Sequence, residues 1–406
     1  MYHNDANFNN VSIREREQKM DNLTTKVFNK IDELSQKYFN VLIDVCNIES
    51  KSEDKEGIDQ VGRYFENIAK EMCYVIKKKE FEKAGDVYSF TYNPKGKKKQ
   101  ISLSAHMDTV HVKGAFGYPP TRIEGDYVYG PGVNDSKGNI AVQLLVMEAL
   151  KECGYDERPV KLILQSDEEV NSCLSEHKTL EFMVDEARGS AAFLNAENIG
   201  PNRALTIGRK GITSYKITVK GKKIHAGWCV AGASAIKEAA YKIIEFEKNN
   251  DNDGITFNCG IINGGGVTNI VADTCEIGVE YRFKNMEQKK IADEKFERIL
   301  KTSYVEGTSS TAQQLSTRLP MEANEQNKNL VKIINEICKK VNIEPFKMEE
   351  TPGGADSAYP SLAGIPTVDS IGIEGSGAHT LNERARISSI PEMAKVVAAI
   401  ILHFPE

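Results

Sequence analysis

The sequence lacks the features that mark disulfide-rich, membrane-spanning or nucleic-acid-binding proteins. Its eight cysteines are scattered over 406 residues without a Cys-x-x-Cys pair, which favours reduced thiols over a disulfide framework or a thiolate zinc site. No apolar run approaches the roughly 18 residues that a membrane span needs. The formal net charge of −6 argues against a nucleic-acid-binding surface, because phosphate binding requires an excess of basic residues.

The N-terminus does not resemble a targeting signal. The first twenty residues, MYHNDANFNNVSIREREQKM, are polar and charged, without an apolar segment or a small-residue cleavage site. We therefore predict no signal peptide and a cytoplasmic location, with neither a membrane nor nucleic acid as a partner. Residues 1–22 are interpreted as a polar N-terminal extension.

Beyond this extension, short apolar runs alternate with helical patterns. Strands are predicted at 87–92, 100–106, 160–166, 191–196 and 365–370. Helices are predicted at 22–47, 57–72, 139–153, 177–187, 325–341 and 391–403. This alternation predicts an α/β fold with a mixed, largely parallel sheet flanked by helices on both faces.

The segment 208–318 has a different pattern. Strict alternation at 212–221 predicts a half-exposed antiparallel strand. Further helices are predicted at 233–248 and 287–301, and further strands at 255–262, 270–283 and 311–316. The segment is therefore interpreted as an inserted α+β (ferredoxin-like) domain, and residues 23–207 and 319–406 as one discontinuous domain. A chain of this length is expected to form two domains.

Metal-binding residue types occur where the apolar runs of the discontinuous domain end. They are His106, Asp108, Asp135, Glu168, Glu169, Glu197 and His379. Ligands bind at the carboxyl ends of strands in open α/β sheets, so we expect these side chains to converge. Imidazoles combined with carboxylates suit Zn²⁺, and also Mn²⁺ or Co²⁺. The adjacent pair Glu168–Glu169 could supply one ligand and one base to a two-metal hydrolytic centre.

Most of these residues also have an ordinary structural interpretation. A His-x-Asp segment is often a solvated turn, Asp135 could be a helix N-cap, and adjacent glutamates are usually surface charge. Only their ordered combination favours a metal centre. A nucleotide-binding dehydrogenase is disfavoured because no Gly-x-Gly-x-x-Gly follows an early strand, and Gly264–Gly266 lacks the Lys-Ser/Thr of a phosphate loop. His111, His177 and His403 are assigned to the surface or the core.

Six segments in this order resemble a known family: SAHMDTV, GPGVNDSKGN, SDEEV, NAENIG, GGADSA and GSGAHTLNE. Together they resemble the di-zinc exopeptidases related to glutamate carboxypeptidase, acetylornithine deacetylase and succinyl-diaminopimelate desuccinylase. The resemblance extends from about residue 24 to residue 404 and includes the insert. It implies a zinc-exopeptidase-like catalytic domain, a lid and dimerisation domain at 208–318, a homodimer, and two divalent metal ions. Zinc is the expected metal, with manganese or cobalt as alternatives.

The resemblance also implies roles for the metal-binding residues. His106 and Glu197 would bind one ion, Glu169 and His379 the other, and Asp135 both. Asp108 would fix the ring of His106, and Glu168 would be the general base. The peptide bond between Asp135 and Ser136 is expected to be cis.

In the insert, the resemblance implies that His225 reaches the active site of the partner subunit and polarises the scissile carbonyl. Asn269 and Arg318 would hold the free carboxylate of the substrate, and Gly354 would belong to a loop that contacts the same end of the substrate. Three departures from the family pattern leave the metal ligands unchanged and concern the substrate preference. They are Ser136 in place of a second Asp, the bulky Trp228 after HAG, and VNSCLSEHKTLEFM in place of a Gly-Ser repeat.

The sequence therefore predicts a two-zinc exopeptidase that cleaves an amide bond next to a free carboxylate, with a peptide or an N-acyl amino acid as substrate. An N-acyl-amino-acid deacylase of the acetylornithine or succinyl-diaminopimelate type, or a di- or tripeptidase, is the alternative with the same ligands. A metal-free, non-catalytic dimeric binding protein is the alternative from another class.

Overall fold

The computed structural model describes residues 5–251 and 254–405. These residues form two compact units. The first contains the described residues up to Ile207, together with Asn324–Glu349 and those from Pro360 onwards. The second contains Gly208–Ala323 and Glu350–Tyr359.

Helices and strands are numbered here in chain order. The helices are α1 (Asp5–Cys46), α2 (Lys55–Glu71), α3 (Lys137–Glu152), α4 (Lys178–Ala187), α5 (Ala235–Glu247), α6 (Met286–Lys301), α7 (Glu325–Lys340), α8 (Ala358–Leu362) and α9 (Ser389–His403). The strands are β1 (Val75–Lys79), β2 (Val87–Tyr92), β3 (Ile101–His106), β4 (Arg122–Glu124), β5 (Tyr127–Tyr129), β6 (Val160–Gln165), β7 (Ala192–Asn195), β8 (Ala204–Arg209), β9 (Gly211–Lys220), β10 (Thr256–Gly264), β11 (Thr274–Phe283), β12 (Ser309–Arg318), β13 (Lys347–Thr351), β14 (Thr367–Val368), β15 (Gly375–Ser376) and β16 (Arg384–Arg386).

The central sheet of the first unit has the strand order β1-β2-β6-β3-β7-β14. Strand β3 pairs in parallel with β6 and β7, and β14 pairs in parallel with β7, whereas β1 and β2 are antiparallel additions at one side. All six residues of β3 are buried, as expected for an apolar strand covered on both faces. The predicted mixed, largely parallel sheet is confirmed.

Helix α3 is the most deeply buried helix segment in the part of the first unit that the structure describes. Every residue from Lys137 to Leu150 is buried, and the helix packs against α1 and α9. A helix that is apolar around most of its circumference is expected in such a position. None of the helices in the described ranges is long and apolar enough to span a membrane.

The second unit contains an antiparallel sheet with the order β10-β11-β9-β12. Burial alternates strictly along β11, so one face of the sheet is covered and the other is more open. The core lies between that face and the helices α5 and α6, and it includes Phe246, Tyr281 and Phe296. The prediction of a strand at 270–283 was too long, since β11 begins at Thr274.

Other observed elements differ from the predicted ones. The predicted helix at 22–47 is part of α1, which begins at Asp5. The predicted strand at 365–370 is reduced to β14, which pairs with β7 through Thr367 and Val368 only. Strand β1 was not predicted, because its sequence VIKKK is rich in lysine. Charged residues of this kind protect an edge strand from pairing with another chain.

The first turn of α3 contains a close packing contact at Gly138, which lies three residues after Asp135. A Cβ atom at Gly138 would overlap the carbonyl oxygen of Val133 and lie 3.0 Å from Cδ1 of Leu42. We expect Gly138→Ala to lower the free energy of unfolding by about 1–3 kcal/mol, because the backbone must shift to make room.

Gly200→Ala is the matched control, since a Cβ there would meet nothing within 4 Å. We expect it to change stability by less than about 0.5 kcal/mol. Denaturant unfolding of both variants measures the difference, and equal stability of the two would contradict the contact at Gly138.

Candidate metal centre

Three parallel strands bring predicted site residues to one edge of the central sheet. His106 is the last residue of β3, Glu168 and Glu169 lie in a short helical turn directly after β6, and Glu197 follows β7. Because β3 pairs in parallel with both β6 and β7, their carboxyl ends lie at the same edge. Asp135 precedes α3, and His379 lies between β15 and β16.

The side chains at this edge form two groups that share Asp135. In the first, Nε2 of His106 lies 3.0 Å from Oδ1 of Asp135 and 3.8 Å from Oε1 of Glu197. In the second, Nε2 of His379 lies 3.4 Å from Oδ2 of Asp135 and 3.0 Å from Oε2 of Glu169. The structure thus brings all five predicted metal ligands together, with the two oxygens of Asp135 facing different imidazoles.

Asp108 connects this group to the turn that contains the glutamate pair. Its fully buried carboxylate lies 3.3 Å from Nδ1 of His106, and the same nitrogen is 3.0 Å from the carbonyl oxygen of Asp108. The carboxylate also accepts the backbone N–H groups of Glu168 (3.2 Å) and Glu169 (3.1 Å). The hydroxyl of Ser52 donates to it at 2.7 Å. Asp108 therefore orients the Glu168–Glu169 turn as well as His106.

Burial makes two of the carboxylates difficult to ionise. It raises the pKa of Glu169 to about 8, although the hydrogen bond with His379 acts in the opposite direction. Burial also raises the pKa of Glu197 well above its usual value, with repulsion from Asp135 as a further cause. Burial disfavours the charge on Asp135 too, but hydrogen bonds with His106 and His379 outweigh it and hold the pKa of Asp135 below its usual range.

The pKa values of the imidazoles are also raised by this crowding, which favours their positively charged form. Hydrogen bonds with Asp135 and Glu169 raise the pKa of His379 to about 11. Burial disfavours protonation of His106, yet hydrogen bonds with Asp108 and Asp135 raise its pKa well above the usual value. Several acidic groups thus compete for positive charge in a small volume.

This chemistry fits divalent cations. Ligand atoms of His106, Asp135 and Glu169 all lie within 4.8 Å of one another. Nitrogen and carboxylate oxygen are the donors that Zn²⁺ and related ions accept, and a dication would replace the protons that these groups otherwise hold. The peptide bond between Asp135 and Ser136 is cis, as the family resemblance implied.

Two residues around the centre were not predicted as functional. Oε1 of Glu383 accepts the backbone N–H groups of Asn134 and Asp135, and Oε2 lies 2.8 Å from Nε2 of His111. His111 had been assigned to the surface or the core. The only available signal was the position of Glu383 in GSGAHTLNE, four residues after His379.

The remaining predicted site residues lie in the second unit. His225 and Asn269 are exposed on neighbouring loops, where the N–H of Ala226 donates to the carbonyl of Asn269 at 2.9 Å. Arg318 is buried, with Nη1 3.6 Å from Oδ1 of Asp356. A Cβ on Gly354 would lie 2.7 Å from Cδ of Arg318, so this glycine leaves space for the arginine.

Known proteins resemble the chain over most of its length. Residues 102–403 match the family model described as peptidase family M20/M25/M40. Carboxypeptidase G2 of Pseudomonas sp. (strain RS-16) is 29% identical over 393 residues, which covers 95% of this chain and 92% of that protein.

Solved structures resemble the fold. A tripeptidase from Staphylococcus aureus subsp. aureus Mu50 aligns with a TM-score of 0.76 and 22% identity, covering 90% of this chain and 97% of that one. An M20 family metallo-carboxypeptidase from Sulfolobus solfataricus aligns with a TM-score of 0.74 and 18% identity, covering 90% of this chain and 98% of that one. The chain therefore belongs to peptidase family M20/M25/M40, as a hydrolase of the metallo-exopeptidase and amidohydrolase type.

Proposed function

We propose that the protein is a two-metal exopeptidase that hydrolyses an amide or peptide bond next to a free carboxylate. The observation that supports this most directly is Asp135, whose two oxygens face the imidazoles of His106 and His379. A carboxylate placed in this way suits a bridge between two ions. The similarity to a carboxypeptidase supports the free carboxylate as the recognised group. The cytoplasm is the proposed location.

The proposed ligand sets follow the two side-chain groups. His106 and Glu197 would bind one ion, Glu169 and His379 the other, and Asp135 both. Zinc is the proposed metal, because nitrogen and carboxylate donors suit it, and manganese or cobalt suit the same set. When bound, the ions would supply Lewis-acid polarisation of the scissile carbonyl and increase the acidity of a water molecule.

Glu168 is the proposed general base. It would accept the proton of the attacking water and later donate it to the leaving nitrogen. Its backbone N–H is held by the Asp108 carboxylate at 3.2 Å, and the next N–H is held by the same carboxylate. Asp108 therefore fixes the main chain from which both Glu168 and the ligand Glu169 project. A base held in this way can take part in both proton transfers without a large movement.

Residues of the second unit are proposed to recognise the substrate. Arg318 would pair with the free carboxylate, because a guanidinium presents two parallel N–H donors to two oxygens. Its burial supports a specific role over that of a solvated surface charge. Gly354 would leave room beside Arg318, and Asn269 would add an amide contact. His225 of the second subunit would stabilise the negative charge that develops on the carbonyl oxygen.

Metal binding should depend on pH in a defined direction. In the metal-free protein, burial raises the pKa of Glu169 to about 8, and hydrogen bonds raise the pKa of His379 to about 11. An ion must displace these protons, so zinc affinity should increase as the pH rises towards about 8, and binding should release protons. Calorimetric titration of chelator-stripped protein in buffers of different ionisation enthalpy measures that release. Affinity that is independent of pH, without proton release, would contradict the proposed ligands.

Glu168→Gln should separate catalysis from metal binding. We expect kcat to fall by about 10²- to 10⁴-fold while the metal content stays at the parental level, because only the proton acceptor is lost. The compounds tested as substrates are N-acyl amino acids and α- and γ-linked dipeptides, each with a free or an amidated carboxylate. The amidated forms should be poor substrates of the parent protein.

Glu181→Gln, at an exposed position of α4, is the control and should keep parental activity. If Glu168→Gln hydrolyses substrate at the parental rate, Glu168 is not the general base. Undiminished hydrolysis after chelation would refute the metal-dependent reaction itself. A preference for N-acyl amino acids over dipeptides would favour the deacylase alternative. Absence of bound metal together with absence of hydrolysis would favour the metal-free binding protein.

The homodimer is proposed to form through the outer face of α5 and the edge strand β10. Exposed apolar side chains lie on both elements: Ile236, Ile244, Ile261 and Ile262. An uncovered edge strand with apolar side chains is suited to pairing with a second copy.

We expect Ile244→Glu combined with Ile261→Lys to convert the dimer into a monomer in sedimentation velocity experiments. Val75→Glu, at an exposed apolar position of β1, should leave the dimer intact, and a monomeric parent protein would refute the proposal.

A further inference from the structure

The Glu383 carboxylate lies at the junction of three loops, of which two contain the predicted metal ligands Asp135 and His379 and one follows the predicted ligand His106. Its Oε1 is 3.2 Å from the backbone nitrogens of Asn134 and Asp135, both of which donate to it. Its Oε2 is 2.8 Å from Nε2 of His111. Glu383 is 1% exposed and His111 has a side chain that is 8% exposed, so these interactions are shielded from water.

The three loops are far apart in the sequence. His111 follows Asp108 by three residues in the loop after β3, and Glu383 follows His379 by four residues in the loop before β16. The main chain of Glu383 adds a further link, because its carbonyl accepts the N–H of Gly130 at 3.2 Å. Glu383 therefore holds the segment Gly130–Asp135 near both of its ends.

The hydrogen bonds from the backbone of Asn134 and Asp135 to Glu383 control the orientation of Asp135. Two adjacent N–H groups that donate to one oxygen fix the peptide plane immediately before the Asp135 side chain. Since the two oxygens of Asp135 face different imidazoles, a rotation of that plane would disturb both side-chain groups. Hydrogen bonds to an ionised carboxylate are stronger than neutral ones, especially when water is excluded.

His111 in turn fixes the position of the Glu383 carboxylate. Its ring packs edge-on against Phe116, with the ring centroids 4.8 Å apart, and this contact holds Nε2 towards Oε2. Without His111, the second oxygen would lose this hydrogen-bonding partner. The carboxylate could then rotate away from the backbone N–H groups.

We propose that Glu383 and His111 are positioning residues of the metal centre, which act by holding the backbone of Asn134 and Asp135. The inference rests on the proposed two-metal function. Neither residue is proposed to contact the ions or the substrate. Their effect should therefore be seen in metal affinity and in the geometry around the ions, separately from stability.

The test uses purified full-length protein, with zinc affinity measured by competition with a chromophoric chelator and cobalt binding followed by visible absorption. Glu383→Ala should weaken zinc binding by about 10- to 100-fold, as is usual when a partner of a ligand is removed. His111→Ala should weaken it by a smaller factor. His111→Gln should bind zinc as the parent does, because its amide nitrogen can occupy the place of Nε2.

The cobalt spectrum supplies a readout that a purely structural role would not change. We expect Glu383→Ala and His111→Ala to alter the ligand-field bands, and His111→Gln and the exposed control Glu181→Ala to preserve them. Thermal unfolding of the metal-free variants is measured in parallel, so that affinities are compared between folded proteins. If Glu383→Ala does not fold, the comparison of His111→Ala with His111→Gln tests the positioning role.

Two results would overturn the proposal, and they are distinguishable. Failure of the parent protein to bind a divalent ion would refute the metal centre and the positioning role together. Parental affinity and parental cobalt spectra in the folded alanine variants would refute the positioning role alone, and any loss of stability would then identify a structural contact.

Discussion

The candidate site depends on the repulsion between carboxylates that the fold buries at one edge of a sheet. Asp135, Glu169 and Glu197 lie close to two imidazoles, and burial raises the pKa of both glutamates. The arrangement therefore requires positive charge, which protons supply in the metal-free protein and divalent ions would supply in the proposed enzyme. The repulsion between these buried carboxylates therefore underlies both the proposed reactivity of the site and its proposed dependence on metal.

The fold produces this crowding because parallel strands end side by side. Strands β3, β6 and β7 deliver His106, the Glu168–Glu169 turn and Glu197 to the same edge. Buried hydrogen bonds then fix the loops. Asp108 connects β3 to the glutamate turn, and Glu383 connects the loop before α3 to the loop before β16. The carboxylates that form these interactions are buried, so water does not compete for their hydrogen bonds.

Long apolar runs and ordered motifs made much of the protein predictable. Strand β2 was predicted with its observed bounds and β6 within one residue, because VYSFTY and VKLILQ are rich in apolar and aromatic residues and flanked by turn residues. Strand β1 was missed because its lysines are typical of a solvated face. The pair His111–Glu383 was missed because its residues are separated by 272 positions, and the place of Glu383 in GSGAHTLNE does not indicate which residue it contacts. The roles of the eleven predicted site residues remain predictions.

The most direct measurement is anomalous X-ray scattering from crystals grown with zinc. We expect two peaks on the first unit. One should lie between His106, Asp135 and Glu197, and the other between His379, Asp135 and Glu169, with an oxygen of Asp135 directed at each. A single peak, or ions bound elsewhere with these side chains in contact only with one another, would contradict the shared role of Asp135 on which the proposed mechanism is based.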